Sequence, residues 1–219
     1  MRAIKGQIIM KMDVTQKSKY RLTEGVTIQI EKGYNFNLRE DRSSMGYVIE
    51  GDGLPVGAKL LCHHLSIEES YRIYDESILT EEEKKEGFKV FSIPVDMAFC
   101  YMVENEWIPC KNFLITKRIF KPYKGVLVGI EPKVIKNRLL VLKGSDEWDG
   151  EVTDLSNKVC IVTENSDYQI IWHDTDNREY SLIRTRQREL LGVDEGLSKE
   201  VKKGDVLVGY TVSDCKALN

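Results

Sequence analysis

Cys62-His63-His64 is the one place in the chain where several metal-ligating residue types stand together. On an extended strand, successive side chains face opposite ways, so three consecutive residues cannot close a tetrahedral set around one ion. The five cysteines, Cys62, Cys100, Cys110, Cys160 and Cys215, form an odd set without Cys-x-x-Cys spacing. That usage reads as buried reduced thiols, not as a disulfide framework or a zinc ribbon. No metal site and no cofactor is expected. Arg184, Arg186 and Arg188 stand at spacing two, which on an extended strand gives one shared face that suits phosphates, subunit pairing or plain solvation. For catalysis, Gly51-Asp52-Gly53 is a turn signal, no glycine-rich phosphate loop is present, and three histidines are scattered over the chain. The expectation is a protein without catalytic residues, not an enzyme.

The charge balance points the same way. Thirty-two basic and 35 acidic residues leave a formal charge of -3 over 219 residues, without the basic excess that drives counterion release, so nucleic acid is not an expected partner. No apolar run approaches the roughly 20 residues of a membrane helix, and Met1-Arg2-Ala3-Ile4-Lys5-Gly6 leads into an alternating segment instead of a signal-peptide core. A cytoplasmic protein with no membrane partner is the expectation.

The elements that must position these residues are strands. Apolar and polar residues alternate in Gly6–Met12, Gly25–Ile30, Met45–Glu50, Lys59–His64, Lys89–Ile93, Phe113–Ile119, Arg138–Leu142, Lys158–Thr163, Gln169–Trp172 and Glu179–Ile183, the period of half-buried strands. Turn-rich stretches such as Gly51–Pro55, Asp149-Gly150 and Asp174–Asn177 separate them. Helix is scarce: Thr80 with Glu83 offers a capping box, and Gly87 ends the segment. The polar stretch Glu31–Ser44 reads as a long loop. Trp107-Ile108-Pro109-Cys110 interrupts the alternation, which restarts at Phe113, so a boundary is expected between Asn105 and Lys111. The reading is all-β, with one barrel over residues 1–108 and a second over 109–219 that carries a C-terminal strand extension.

Each half follows one plan. The second runs through Phe113–Ile119, Lys124-Gly125-Val126-Leu127-Val128-Gly129 and Leu139–Gly144, then closes with Glu179–Arg184 and Arg188-Glu189-Leu190-Leu191-Gly192-Val193. The first has Gly6–Lys11, Gly25-Val26-Thr27-Ile28, Gly46–Gly53, Val56–Leu61 and a closing Lys89–Cys100. This order resembles the GroES, or chaperonin-10, family over about residues 4–103 and 111–193. Two positions depart from its pattern: Asn157-Lys158-Val159-Cys160 stands where a glycine-aspartate step is usual, and Gly129 replaces a threonine or serine.

The resemblance implies two tandem GroES-like barrels with little helix. It implies partner-binding residues in the apolar segments after the loop glycines, Val126, Leu127 and Val128, and in the first half Val26, Thr27 and Ile28. Such segments dock into an apolar groove of a large chaperonin ring, so the implied function is that of a homo-oligomeric co-chaperonin cap. The competing reading makes Val126–Val128 a core strand. It leaves a structural or assembly β-module, of a virus or mobile element, with another protein or none as partner.

Overall fold

The computed structural model describes residues 2–14, 19–23, 26–29, 44–51, 53–121, 132–144, 154–173 and 179–209. The strands are β1 (Gln7–Asp13), β2 (Lys19–Thr23), β3 (Val26–Gln29), β4 (Ser44–Glu50), β5 (Lys59–Cys62), β6 (Arg72–Ile73), β7 (Phe88–Pro94), β8 (Ala98–Val103) and β9 (Glu106–Pro109). They continue as β10 (Phe113–Phe120), β11 (Val134–Gly144), β12 (Val159–Val162), β13 (Tyr168–His173), β14 (Glu179–Arg186), β15 (Leu190–Val193) and β16 (Leu207–Gly209). Two α-helices, α1 (Glu81–Lys85) and α2 (Glu195–Lys203), and short 3-10 turns, among them Val95–Met97 and Gln187–Glu189, complete the described elements. Among the described residues no helix is long and apolar enough to cross a membrane.

The protein is all-β. One sheet has the order β6-β7-β1-β4-β5-β8-β9, and the other the order β13-β14-β10-β11-β12-β15 with β16 added against β10; β2 and β3 form a separate ribbon. The chain separates into two compact units, Met1–Trp107 with Ile171–Tyr180, and Ile108–Ile170 with Ser181–Asn219.

Apart from β9 and β16, the two sheets have the same strand order, and their registers agree. In one, Ile9 faces Glu50, Met10 faces Val48, and a bulge lies between them; in the other, Ile115 faces Lys143, Thr116 faces Val141, and the bulge recurs. A second bulge separates Leu61 from Cys62 against β8, and Ile161 from Val162 against β15. Ile8 pairs with Ile93 as Leu114 pairs with Thr185. A bulge adds a residue to one strand and shifts every later side chain to the other face. Two bulges at the same places therefore mark one main-chain design used twice.

The turns repeat as well. The Gln7 amide donates to the Ile4 carbonyl at 3.0 Å, and the Phe113 amide to the Cys110 carbonyl at 3.1 Å. The residues just before these strands, Gly6 and Asn112, both have positive φ, 82° and 70°. Their carbonyls accept from Val95 at 3.1 Å and from Gln187 at 2.9 Å, which ties each first strand to the 3-10 turn of its closing segment.

Beneath this shared backbone the interiors differ. Met10, Met12, Cys62 and Cys100 are buried in the first sheet beside Leu60, Phe91 and Phe99, and the Cys62 thiol lies 3.6 Å from the Met10 sulfur. The counterparts of Met10 and Ile93 in the second sheet are Thr116 and Thr185, both fully buried. Their hydroxyls meet at 3.1 Å, and Thr185 donates to the Ser166 carbonyl at 3.0 Å. Ser166 in turn reaches the Thr163 carbonyl at 2.8 Å. Burying hydroxyls costs little when each finds a partner, and this chain supplies one at every step.

The barrel closure expected from the sequence is absent among the described residues: each sheet is an open path of strands. At one end of the first sheet β6 has only two residues. The interruption expected at Trp107–Pro109 is also replaced by a strand. Glu104 and Asn105, at φ 49° and 66°, make a tight turn that folds β9 back as the sheet's outermost strand, where a terminal proline is tolerated because no neighbour needs its missing amide. The Thr80–Glu83 capping box is formed, with the Glu83 amide 3.2 Å from the Thr80 hydroxyl.

Candidate functional site

The apolar segments singled out in the sequence belong to the connections between first and second strands of the repeated plan. In the second sheet that connection joins β10 to β11. Phe120 pairs with Val134 at its root, and the Lys121 amide donates to the Lys133 carbonyl at 2.9 Å. Val126, Leu127 and Val128 lie beyond this root, outside the described residues. In the first sheet the connection joins β1 to β4 and contains the ribbon of β2 and β3, in which Val26, Thr27 and Ile28 pair with Thr23, Arg21 and Tyr20. In chain order, both candidate segments thus fall between the first and second strands of the strand order that the two sheets share.

A polar cleft of about 300 Å3 lies beside the root of the β10–β11 connection, lined among others by Arg118, Val134, Lys136, Arg138, Glu164 and Asp167. Its arginines are committed to carboxylates: Arg118 Nε donates to Asp167 at 2.7 Å, and Arg138 Nε to Asp194 at 2.8 Å. Asp194 also caps α2, accepting the Leu197 amide at 3.0 Å. That amide first, and Arg138 second, hold its carboxyl below the ordinary carboxylate range. The cleft is therefore a charge-balanced surface.

The remaining sequence candidates are drawn apart or into the core. Cys62 is buried, while His63 accepts the Leu65 amide at 3.2 Å through Nδ1 and meets the Phe99 ring edge-on at 6.0 Å. His63 thus ends β5 by capping a 3-10 turn that begins at His64. Among the described residues, no group of three or more His, Cys, Asp or Glu side chains is placed to hold a metal ion. The three arginines do not share a strand face, because β14 ends at Arg186 and Arg188 lies in the following 3-10 turn. Arg184 is buried, with its guanidinium 4.4 Å from the Tyr168 ring centre and 5.4 Å from that of Phe113. Burial, and then the neighbouring Arg186, pull its pKa down to about 10. This is a packing role stabilised by ring quadrupoles. Burial likewise pushes the Cys160 thiol up to about 11, which makes it an inert core sulfur.

The C-terminal strand extension expected on the second half is present as β16, paired with β10, but the sequence reading missed the helix α2 that precedes it. Its signals were present: Asp194 as N-cap, and Gly204 as a left-handed C-terminal stop at φ 77°. Leu197 and Val201 pack from α2 against Ile119, Leu140 and Val159, together with Val206 and Val208.

No family model, no curated protein and no solved structure matches this chain.

Proposed function

We propose that this protein is a co-chaperonin-like cap: a homo-oligomer that binds a large chaperonin ring through Val126–Val128 and, in its first half, through Val26–Ile28. The observation that carries the reading is the shared position of the two segments. Each falls, in chain order, between the first and second strands of the strand order that the two sheets share. A repeated plan that places an apolar segment at the same point suits a cap that touches a symmetric partner at repeated points. Asn157 adds support. At φ 61° it fills the turn position that Gly57 fills at φ 81°, so the departure from the glycine-aspartate step leaves the main-chain turn unchanged.

The energetics favour many copies. Three small apolar side chains contribute about 1.5–3 kcal/mol each when fully buried, a weak contact once association entropy is subtracted. Linking several such contacts in one assembly raises the overall affinity without any new contact. The reading assigns the protein to the cytoplasm, where the buried cysteines Cys62, Cys100, Cys110 and Cys160 remain thiols.

Light scattering of the purified chain, alone and mixed with a chaperonin ring, tests this. The expected result is a multi-copy assembly that joins the ring, with joining lost in Leu127→Asp while the circular dichroism of the fold persists. A monomer that never joins the ring would leave the assembly-module reading in its place. A Leu127→Asp variant that still binds would retire the docking role of Val126–Val128, and one that unfolds would place Leu127 in a core.

A further inference from the structure

From Lys117 to Arg138 the chain has seven basic residues and one acidic residue, Glu131. The whole chain carries a formal charge of -3, so this stretch stands against an acidic background. The corresponding stretch of the first half, from Lys11 to Met45, has seven basic and five acidic residues and no such excess. Two of the seven cations are held within the second unit, Arg118 by Asp167 at 2.7 Å and Arg138 by Asp194 at 2.8 Å. Lys121, Lys133 and Lys136 are exposed and make no ion pair among the described residues.

The register gathers these three lysines at the root of the β10–β11 connection. The Lys121 amide donates to the Lys133 carbonyl at 2.9 Å, next to the pair formed by Phe120 and Val134. Lys136 follows in a bulge of β11, since Arg118 faces Leu139 while Phe120 faces Val134, and Asn137 in that bulge is left-handed at φ 56°. A bulge re-aims side chains, and Lys136 is presented to solvent there. Among the residues that line the adjoining cleft, Glu164 is the carboxylate without a partner. Three unpaired cations thus face one unpaired anion.

We propose that Lys121, Lys133 and Lys136 form a docking surface for an acidic protein surface, the carboxylate-rich border of the groove that takes Val126–Val128. This rests on the docking role given to that segment above. Like charges gathered at one root repel each other, and carboxylates of a partner relieve the repulsion. A protein fits the patch better than nucleic acid does. Glu164 and Asp167 stand in the cleft beside it and oppose a continuous phosphate backbone, as does the acidic remainder of the chain. Surface charges of this kind raise the association rate more than they prolong the complex. The lysines therefore steer, and the apolar segment holds.

Two probes test this on Lys121→Glu/Lys133→Glu/Lys136→Glu and on a control of equal charge, Lys5→Glu/Lys59→Glu/Lys85→Glu, whose lysines are exposed on the first unit. The first probe is a short poly-glutamate peptide, followed by fluorescence anisotropy. The patch variant should bind it at least about tenfold more weakly than the control does, and binding by the parent should fade as ionic strength rises from about 0.05 M to about 0.5 M. Lys121→Ala/Lys133→Ala/Lys136→Ala, which adds no repulsion, should show a milder loss in the same direction. Equal losses in the patch and control variants overturn the proposal. So does a single-stranded oligonucleotide of the same charge that binds the parent more tightly than the peptide. The second probe is a chaperonin ring, with which the patch variant should associate about tenfold more slowly while its dissociation changes by less than about twofold. An unchanged association rate overturns the acidic border. A parent that never binds the ring retires the docking role of Val126–Val128, and the peptide result then decides by itself whether the lysines take an acidic surface.

Discussion

Gly57 and Asn157 do the same work in the two halves. Each has positive φ, 81° and 61°, and each donates its amide at 2.8 Å to a carbonyl of the second strand, Val48 for Gly57 and Val141 for Asn157. Those strand residues donate back across the turn, Val48 to Ala58 at 3.0 Å and Val141 to Lys158 at 2.9 Å. Asparagine is among the few residues other than glycine that tolerate this conformation, so the turn survives the exchange of residue.

Replacing Asn157 by glycine should therefore change the unfolding free energy by no more than about 0.5 kcal/mol, whereas Asn157→Val should cost about 1–2 kcal/mol, the penalty of a branched side chain held left-handed. Urea denaturation of the two variants measures the difference. Equal midpoints would show that the turn is not held at positive φ.

Gly51 is constrained more severely. At φ 132°, a Cβ there would stand 2.4 Å from the Gln7 carbonyl oxygen and 2.8 Å from the Ile8 Cα, both main-chain atoms of β1 that cannot rotate away. Gly51→Ala is expected to cost more than about 2 kcal/mol, through clash and strain together. Gly53→Ala, whose site has nothing within 4 Å, should cost less, through backbone strain alone. Thermal melts of the pair rank the two.

The Thr116 and Thr185 hydroxyls form a coupled pair. Thr185→Val should cost about 1–3 kcal/mol, because it takes a donor from the buried Ser166 carbonyl as well as the Thr116 contact, whereas Thr116→Val should cost about 1 kcal/mol, because Thr185 keeps Ser166. The double variant should cost less than their sum by about 1 kcal/mol, since the two hydroxyls no longer need one another. A double-mutant cycle in urea reads that coupling, and strict additivity would argue against it.

Asp194 gives a pH dependence of known sign. Its folded pKa lies below the ordinary carboxylate value, so its contribution is complete above the unfolded pKa of about 3.9 and is lost as pH falls through the lower folded value. Asp194→Asn should be less stable than the parent at neutral pH and converge on it below about pH 4. Asp194→Ala adds the loss of the cap, worth about 1 kcal/mol. Unfolding free energies measured from pH 2.5 to pH 7 check the convergence.

Strand identity was legible where alternation was strong. Phe113–Ile119 and Lys89–Ile93, read from period alone, lie within β10 and β7. The short Ala98–Val103 and Leu190–Val193 were absorbed into closing segments, since four to six residues after a 3-10 turn hold too few periods to announce a strand. Glu106–Pro109 was read as a break because proline argues against a strand only when the strand has neighbours on both sides. α2 was hidden inside the expected C-terminal strand extension, since nine residues hold too few turns to announce a helix by period alone. Arg138 with Asp194, and Thr116 with Thr185, join residues 56 and 69 positions apart, a separation that no local pattern encodes.

All six methionines lie at or before Met102, and Met10 and Met12 are sealed in the interior of the first sheet. Thioether oxidation by peroxide requires access to sulfur and adds oxygen that survives digestion and mass spectrometry. The chain thus contains a natural clock on one side only. Sulfoxide accumulating at Met10 and Met12 times the opening of the first β-unit, while the second, which has no methionine, contributes no such signal.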